Sequence, residues 1–140
     1  MTNQEKKEIL QQYRLAEMEE QRLEHEIERW RSRAEKTTPG YSKAPSGGAD
    51  GRSMEHVLEH LGELAQELTQ QRDKLIRLRR EIGAAIDTVP DARLRELLRL
   101  RYIEGMKWGR LAIAMGYDDL RWIYRMHGRA LEKLTIESHH

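Results

Sequence analysis

With 140 residues, 38% hydrophobic, 35% charged and without Phe, the chain is too lean in apolar side chains for a thick-walled ligand cavity and suits long amphipathic helices. The absence of Cys excludes a disulfide framework and any cysteine-based metal or redox site. Net charge is only +1, yet residues 88–140 hold 10 Lys/Arg against 7 Asp/Glu, so the basic excess that suits a polyanionic partner sits toward the C-terminus.

The opening residues lack an apolar signal-peptide core, and no later apolar run approaches a membrane span. A soluble, cytoplasmic protein with no membrane partner is expected. From Thr2 to Glu35 there is neither Pro nor Gly, and Ile9, Tyr13, Ala16, Leu23, Ile27, Trp30 and Ala34 recur in alternating steps of four and three. Glu20 is the one polar member of that seam. Residues 1–36 are therefore predicted to form a first coiled-coil helix, whose apolar stripe is too narrow to be stable alone.

Residues 37–53 contain two Pro and four Gly among small polar residues and read as a flexible loop. A phosphate-binding glycine loop is the sharper alternative. It fails because GGADG has neither nucleotide-binding spacing nor a preceding strand.

A second coiled-coil helix is predicted over residues 54–87, with Ser53 as its N-cap. Its seam is Met54, Val57, Leu61, Leu64, Leu68, Leu75, Leu78, Ile82, Ala85 and Val89, with Gln71 as the polar member. Run antiparallel, the seams match wherever residue numbers sum to 91: Ile9 with Ile82, Tyr13 with Leu78, Ala16 with Leu75, Leu23 with Leu68, Ile27 with Leu64 and Trp30 with Leu61. Glu20 meets Gln71 in the same register, which predicts a buried polar pair that pins it. The periodicity suits an antiparallel hairpin within one chain and pairing between two copies equally well. A homodimer through these helices is thus one expectation.

Residues 88–140 are predicted to form a three-helix domain. Pro90 ends the long helix, and Thr88 with Asp91 resembles a capping arrangement. A third helix over 92–104 buries Leu94, Leu97, Leu98 and either Tyr102 or Ile103, with Gly105 past its C-terminus. A fourth, over 107–115, turns Trp108, Leu111, Ala112 and Met115 inward. Gly116 suits a left-handed turn, and Asp118 or Asp119 caps a fifth helix over 119–134. In that helix Leu120, Ile123, His127 (or Met126), Ala130 and Leu134 line the inner face, and Arg121, Trp122, Arg125 and Arg129 point outward.

This helix, Gly-containing turn and Arg-bearing helix is how a helix-turn-helix sets a recognition helix against DNA. LRLRYIEG, WGRLAIAMGY and RALEKL resemble region four of bacterial sigma factors of the sigma-seventy class. They resemble still more closely the small phage and prophage regulators of the RinA/ArpU type. The matching residues include Leu98, Arg101, Tyr102, Gly105, Leu111, Ala112, Gly116, Tyr117, Ile123, Ala130 and Leu134. Between Gly116 and Ala130 this chain has one residue more than the usual sigma spacing, which moves the base-reading positions by about one.

The resemblance implies a transcriptional regulator that binds promoter-type double-stranded DNA, with host RNA polymerase as a further partner. Lys107, Tyr117, Arg121, Trp122, Arg125 and Arg129 are the DNA-binding candidates. Two other readings stay open: a DNA-packaging component like a small terminase subunit, and a helical interaction factor that meets RNA polymerase without reading DNA. Asp118 and Asp119 count against strong sequence reading, since they put negative charge where phosphates approach.

His56-Val-Leu-Glu-His60 matches the inverted zinc-peptidase pattern H-x-x-E-H. Both histidines fall off the seam at the start of a long helix, so no metal is expected there. With no nucleophile–base arrangement and no paired carboxylates, neither a catalytic residue nor a cofactor is expected, and the protein is not read as an enzyme.

Overall fold

The computed structural model describes residues 1–37 and 47–137, leaving aside the side chains of 37 and 47–53. Among the described residues all regular structure is helical: α1 Asn3–Thr37, α2 Gly47–Ile86, α3 Ala92–Leu98, a π-helical turn Arg99–Ile103, α4 Trp108–Ala114 and α5 Leu120–Lys133. No described helix is long and apolar enough to cross a membrane. The chain divides into two compact units, one of residues 17–74 and one of residues 1–16 with 75–140.

In the unit of residues 17–74, Leu23 and Ile27 of α1 are buried with Leu64 of α2, flanked by Trp30, Leu61 and Leu68. These six residues are three of the pairs whose numbers sum to 91. Arg72 reaches Glu20 and Glu24, whereas Trp30 meets His60 at 4.4 Å between ring centroids. Rising numbers on α1 thus meet falling numbers on α2, and the two segments run antiparallel. The expected buried polar pair is not what the seam contains. Glu20 keeps a quarter of its side chain exposed (24%) and accepts from Arg72 Nε at 3.1 Å, while Gln71 is half-buried. An ionised carboxylate is costly to dehydrate, and a long arginine beside the seam meets it at the water's edge instead.

Helix α2 starts at Gly47, so Ser53 lies inside it and is not its N-cap. Once nucleated, a helix gains one hydrogen bond per residue fixed, and this extends it across glycines that weaken it without breaking it. The rest of the expected loop, residues 38–46, lies outside the described residues.

In the other unit, α1 begins at a Thr2–Glu5 cap, in which the Glu5 N–H donates to the Thr2 hydroxyl at 3.1 Å. The largest fully buried side chains come from all five α-helices and the joint after α2: Leu10, Ile86, Val89, Leu97, Leu98, Leu111 and Ile123. Leu10, off the expected seam, is fully buried, and Ile9, on it, is only half-buried. Here the helices of residues 92–134 cover a second side of α1 and α2, where Leu10 and Ile86 lie, so the apolar stripe is wider than a two-helix seam.

Capping fixes the joints. Asp91 alone caps α3, accepting from the N–H groups of Arg93 (2.8 Å) and Leu94 (3.2 Å), which hold its carboxyl below the usual range. Thr88 does not share that cap. Its hydroxyl donates to Ala85 O at 2.6 Å and accepts from Thr135 N at 3.0 Å, tying the chain after α5 to the end of α2. Lys6 Nζ donates to Leu131 O at 2.7 Å, so α1 caps the last turn of α5.

The expected third helix is α-helical only to Leu98. Glu104 N–H then donates back five residues to Arg99 O at 2.9 Å, and the wider turn selects Tyr102 (2% exposed) over Ile103 for burial. Gly105 follows at φ 74°, with the Arg14 guanidinium lying against it.

Candidate nucleic-acid interface

Helix α4 ends in a left-handed glycine cap. Gly116 has φ 82°, its N–H donates to Ile113 O at 3.0 Å, and Tyr117 N–H donates to Ala112 O at 2.9 Å. The chain then turns through Asp118 to Asp119, whose side chain accepts from Arg121 N–H at 2.9 Å and caps α5. Between the two caps lies the short turn that the Gly116 and Asp119 positions predict.

Helix α5 is divided lengthwise. Ile123, His127, Ala130 and Leu131 are buried, and Arg121, Trp122, Arg125 and Arg129 are exposed. Of the expected inner residues, Leu120 departs: it is 39% exposed, because the first residue of the helix precedes the covered turns. His127 is the buried alternative and Met126 the half-buried one.

His127 anchors the inner face. It shares a hydrogen bond with the Tyr102 hydroxyl at 2.7 Å, and the Trp108 ring meets it edge-on at 4.7 Å. Burial, with Lys7 and Arg101 nearby, pushes its pKa down to about 4, and burial pushes the Tyr102 phenol up to about 12. Both groups are neutral at neutral pH. Arg101 covers the Trp108 ring at 4.3 Å and donates to Met106 O at 2.8 Å, closing the entrance to α4.

The six candidate contact residues differ in availability. Lys107 is exposed at the N-cap of α4. Tyr117 is half-buried and engaged: Arg93 donates to its hydroxyl at 3.2 Å and lies over its ring at 5.0 Å. Arg121 is solvent-facing (85%), yet its Nε and Nη2 both donate to Asp119 Oδ2, at 3.0 and 2.8 Å. That pairing holds the Asp119 carboxyl below its ordinary range. Trp122 is half exposed (53%), and the Arg125 guanidinium lies over its ring at 5.2 Å. Arg129 is exposed one turn further on.

Arg93 and Ile113 escaped the sequence reading. Arg93 comes to the turn from α3, and a helix phase cannot announce a contact between elements 24 residues apart. Ile113, 78% exposed on α4, carries an apolar side chain outward, and only its periodicity against Leu111 and Ala112 could have marked it.

On α2, His56 is exposed and the His60 ring meets Trp30 at a tilt of 60°. Among the described residues no three His, Cys, Asp or Glu side chains come together as a metal-binding group. No protein-family model, curated protein or solved structure matches the chain.

Proposed function

We propose that the protein is a DNA-binding transcriptional regulator whose α4 and α5 form a sigma-region-four-like helix-turn-helix, with α5 as the recognition helix. In this reading α1 and α2 form an antiparallel coiled-coil hairpin that carries or pairs the reader. A cytoplasmic setting, a phage or prophage origin, RNA polymerase as a partner and a homodimer through the long helices come with the resemblance and belong to the same proposal.

One observation carries it. Behind a Gly116 turn, α5 buries one face completely and offers Trp122, Arg125 and Arg129 on the other. Guanidinium groups reach phosphate oxygens and guanine edges, and an indole packs on sugar or a thymine methyl. The binding experiment is titration of fluorescent duplex DNA with the full chain over a range of salt, followed by selection of bound sites from a random pool. Salt-dependent binding with an enriched sequence supports the proposal. Salt-independent association, or none, removes it.

Ile113 and Leu120 favour a second reading, in which this surface meets a protein. Exposed apolar groups on a basic face suit RNA polymerase as the partner without sequence-specific DNA binding. Replacing Ile113 by Ser should then abolish polymerase association and leave any duplex binding unchanged.

A further inference from the structure

We infer that Arg125, braced by Trp122, is the residue that selects sequence, and that the pair takes a guanine whose neighbouring base carries a 5-methyl group, thymine or 5-methylcytosine. This rests on the DNA-binding reading of α5.

The three outward arginines are not equivalent. Arg121 already spends on Asp119 the two-pronged donor face that a guanine would need. Asp119 cannot swing away without cost, because its other oxygen accepts from Arg121 N–H and caps the helix. Arg121 is thus left to act as a charge near phosphates. Arg129 sits a full turn beyond Arg125, whereas recognition helices contact base edges through their N-terminal turns. Arg125 forms no ion pair among the described residues, and its guanidinium carbon lies over the Trp122 ring, 5.2 Å from the centroid.

That contact sets what the neighbour must be. A guanidinium paired in two-pronged fashion with guanine O6 and N7 lies in the plane of the base. A ring stacked on that guanidinium then lies one layer along the duplex, level with the adjacent base pair. There the apolar group in the major groove is the pyrimidine 5-methyl. The exposure of Trp122 fits this use, since its ring takes no part in the buried core.

The test uses the full chain and the duplexes recovered by selection. The enriched site should contain a guanine flanked by thymine. Exchanging that thymine for uracil, which removes only the methyl, should weaken binding roughly fourfold, the value of one buried methyl group. W122A should lose about as much and bind the thymine and uracil duplexes equally. Restoring the methyl as 5-methylcytosine should recover binding that cytosine loses. R125A should erase the preference for the guanine, worth about 5- to 150-fold, while R121A should weaken all sequences alike. Equal binding of thymine and uracil duplexes by the unaltered protein, or loss of the guanine preference in R121A and not R125A, overturns the inference and leaves the DNA-binding proposal standing. Salt-dependent binding without any enriched sequence likewise overturns the inference alone, and absence of salt-dependent binding overturns both.

Discussion

His127 shows how a polar residue becomes part of a core. Its ring is buried against Tyr102 and Trp108, and burial first, then the nearby cations Lys7 and Arg101, favours the neutral imidazole. Its folded pKa of about 4 lies below the ordinary histidine value of 6.5, so between these the unfolded chain binds more protons. Stability from this residue is complete above about 6.5 and is lost as pH falls toward about 4. Denaturant midpoints measured at several pH values should therefore drop across that window. H127Q, which cannot titrate but can still bond Tyr102, should flatten the drop even if its midpoint at pH 7 is lower. The two left-handed glycines separate backbone from packing. G116A should cost about 1 kcal/mol from the φ alone, since nothing lies within 4 Å of a Cβ there. G105A should cost more, because its Cβ would sit 2.5 Å from Arg14 Cζ, and the excess should vanish in an R14A background.

At the scale of elements, the ends of helices are what orient the proposed reader. Asp119 caps the start of α5, and Lys6 from α1 caps its last turn through Leu131 O. K6A should cost about 1 kcal/mol and speed amide exchange in the last turn of α5, leaving the N-terminal turn protected. Equal exchange in variant and parent would show that the lysine contributes no restraint. The long helices were legible because Pro and Gly are absent where the heptads run. The π-helical turn was not, because nothing in RLRYI departs from an ordinary α-helical pattern. Its widening follows from seating Tyr102 against His127, two residues 25 apart in the chain. The start of α2 was missed for the opposite reason: glycines at 47, 48 and 51 read as loop, and the helix that follows them extends back through them.

For the molecule as a whole, charge makes the sharpest prediction. If Lys107, Arg121 and Arg129 each neutralise a phosphate, log affinity for duplex DNA should fall against log salt with a slope of about −3. Each charge removed should reduce that slope by about one. R72A tests the other unit: it should lower stability slightly at low salt and not at high salt, because the Arg72 pairs with Glu20 and Glu24 are exposed. The all-helical architecture, the six-residue pairing of Leu23, Ile27, Trp30, Leu61, Leu64 and Leu68, the Gly116 turn and the outward face of α5 were determined by sequence alone, because each is written in local periodicity or in a backbone requirement. Tertiary structure decided that Leu10 enters the core, that Thr88 ties down the end of α5 and that Arg93 occupies Tyr117. These depend on which distant element covers a given side, and a periodic pattern carries no record of that. The Asp119 hold on Arg121 lies between: the residues are two apart, but only the folded turn aims one side chain at the other.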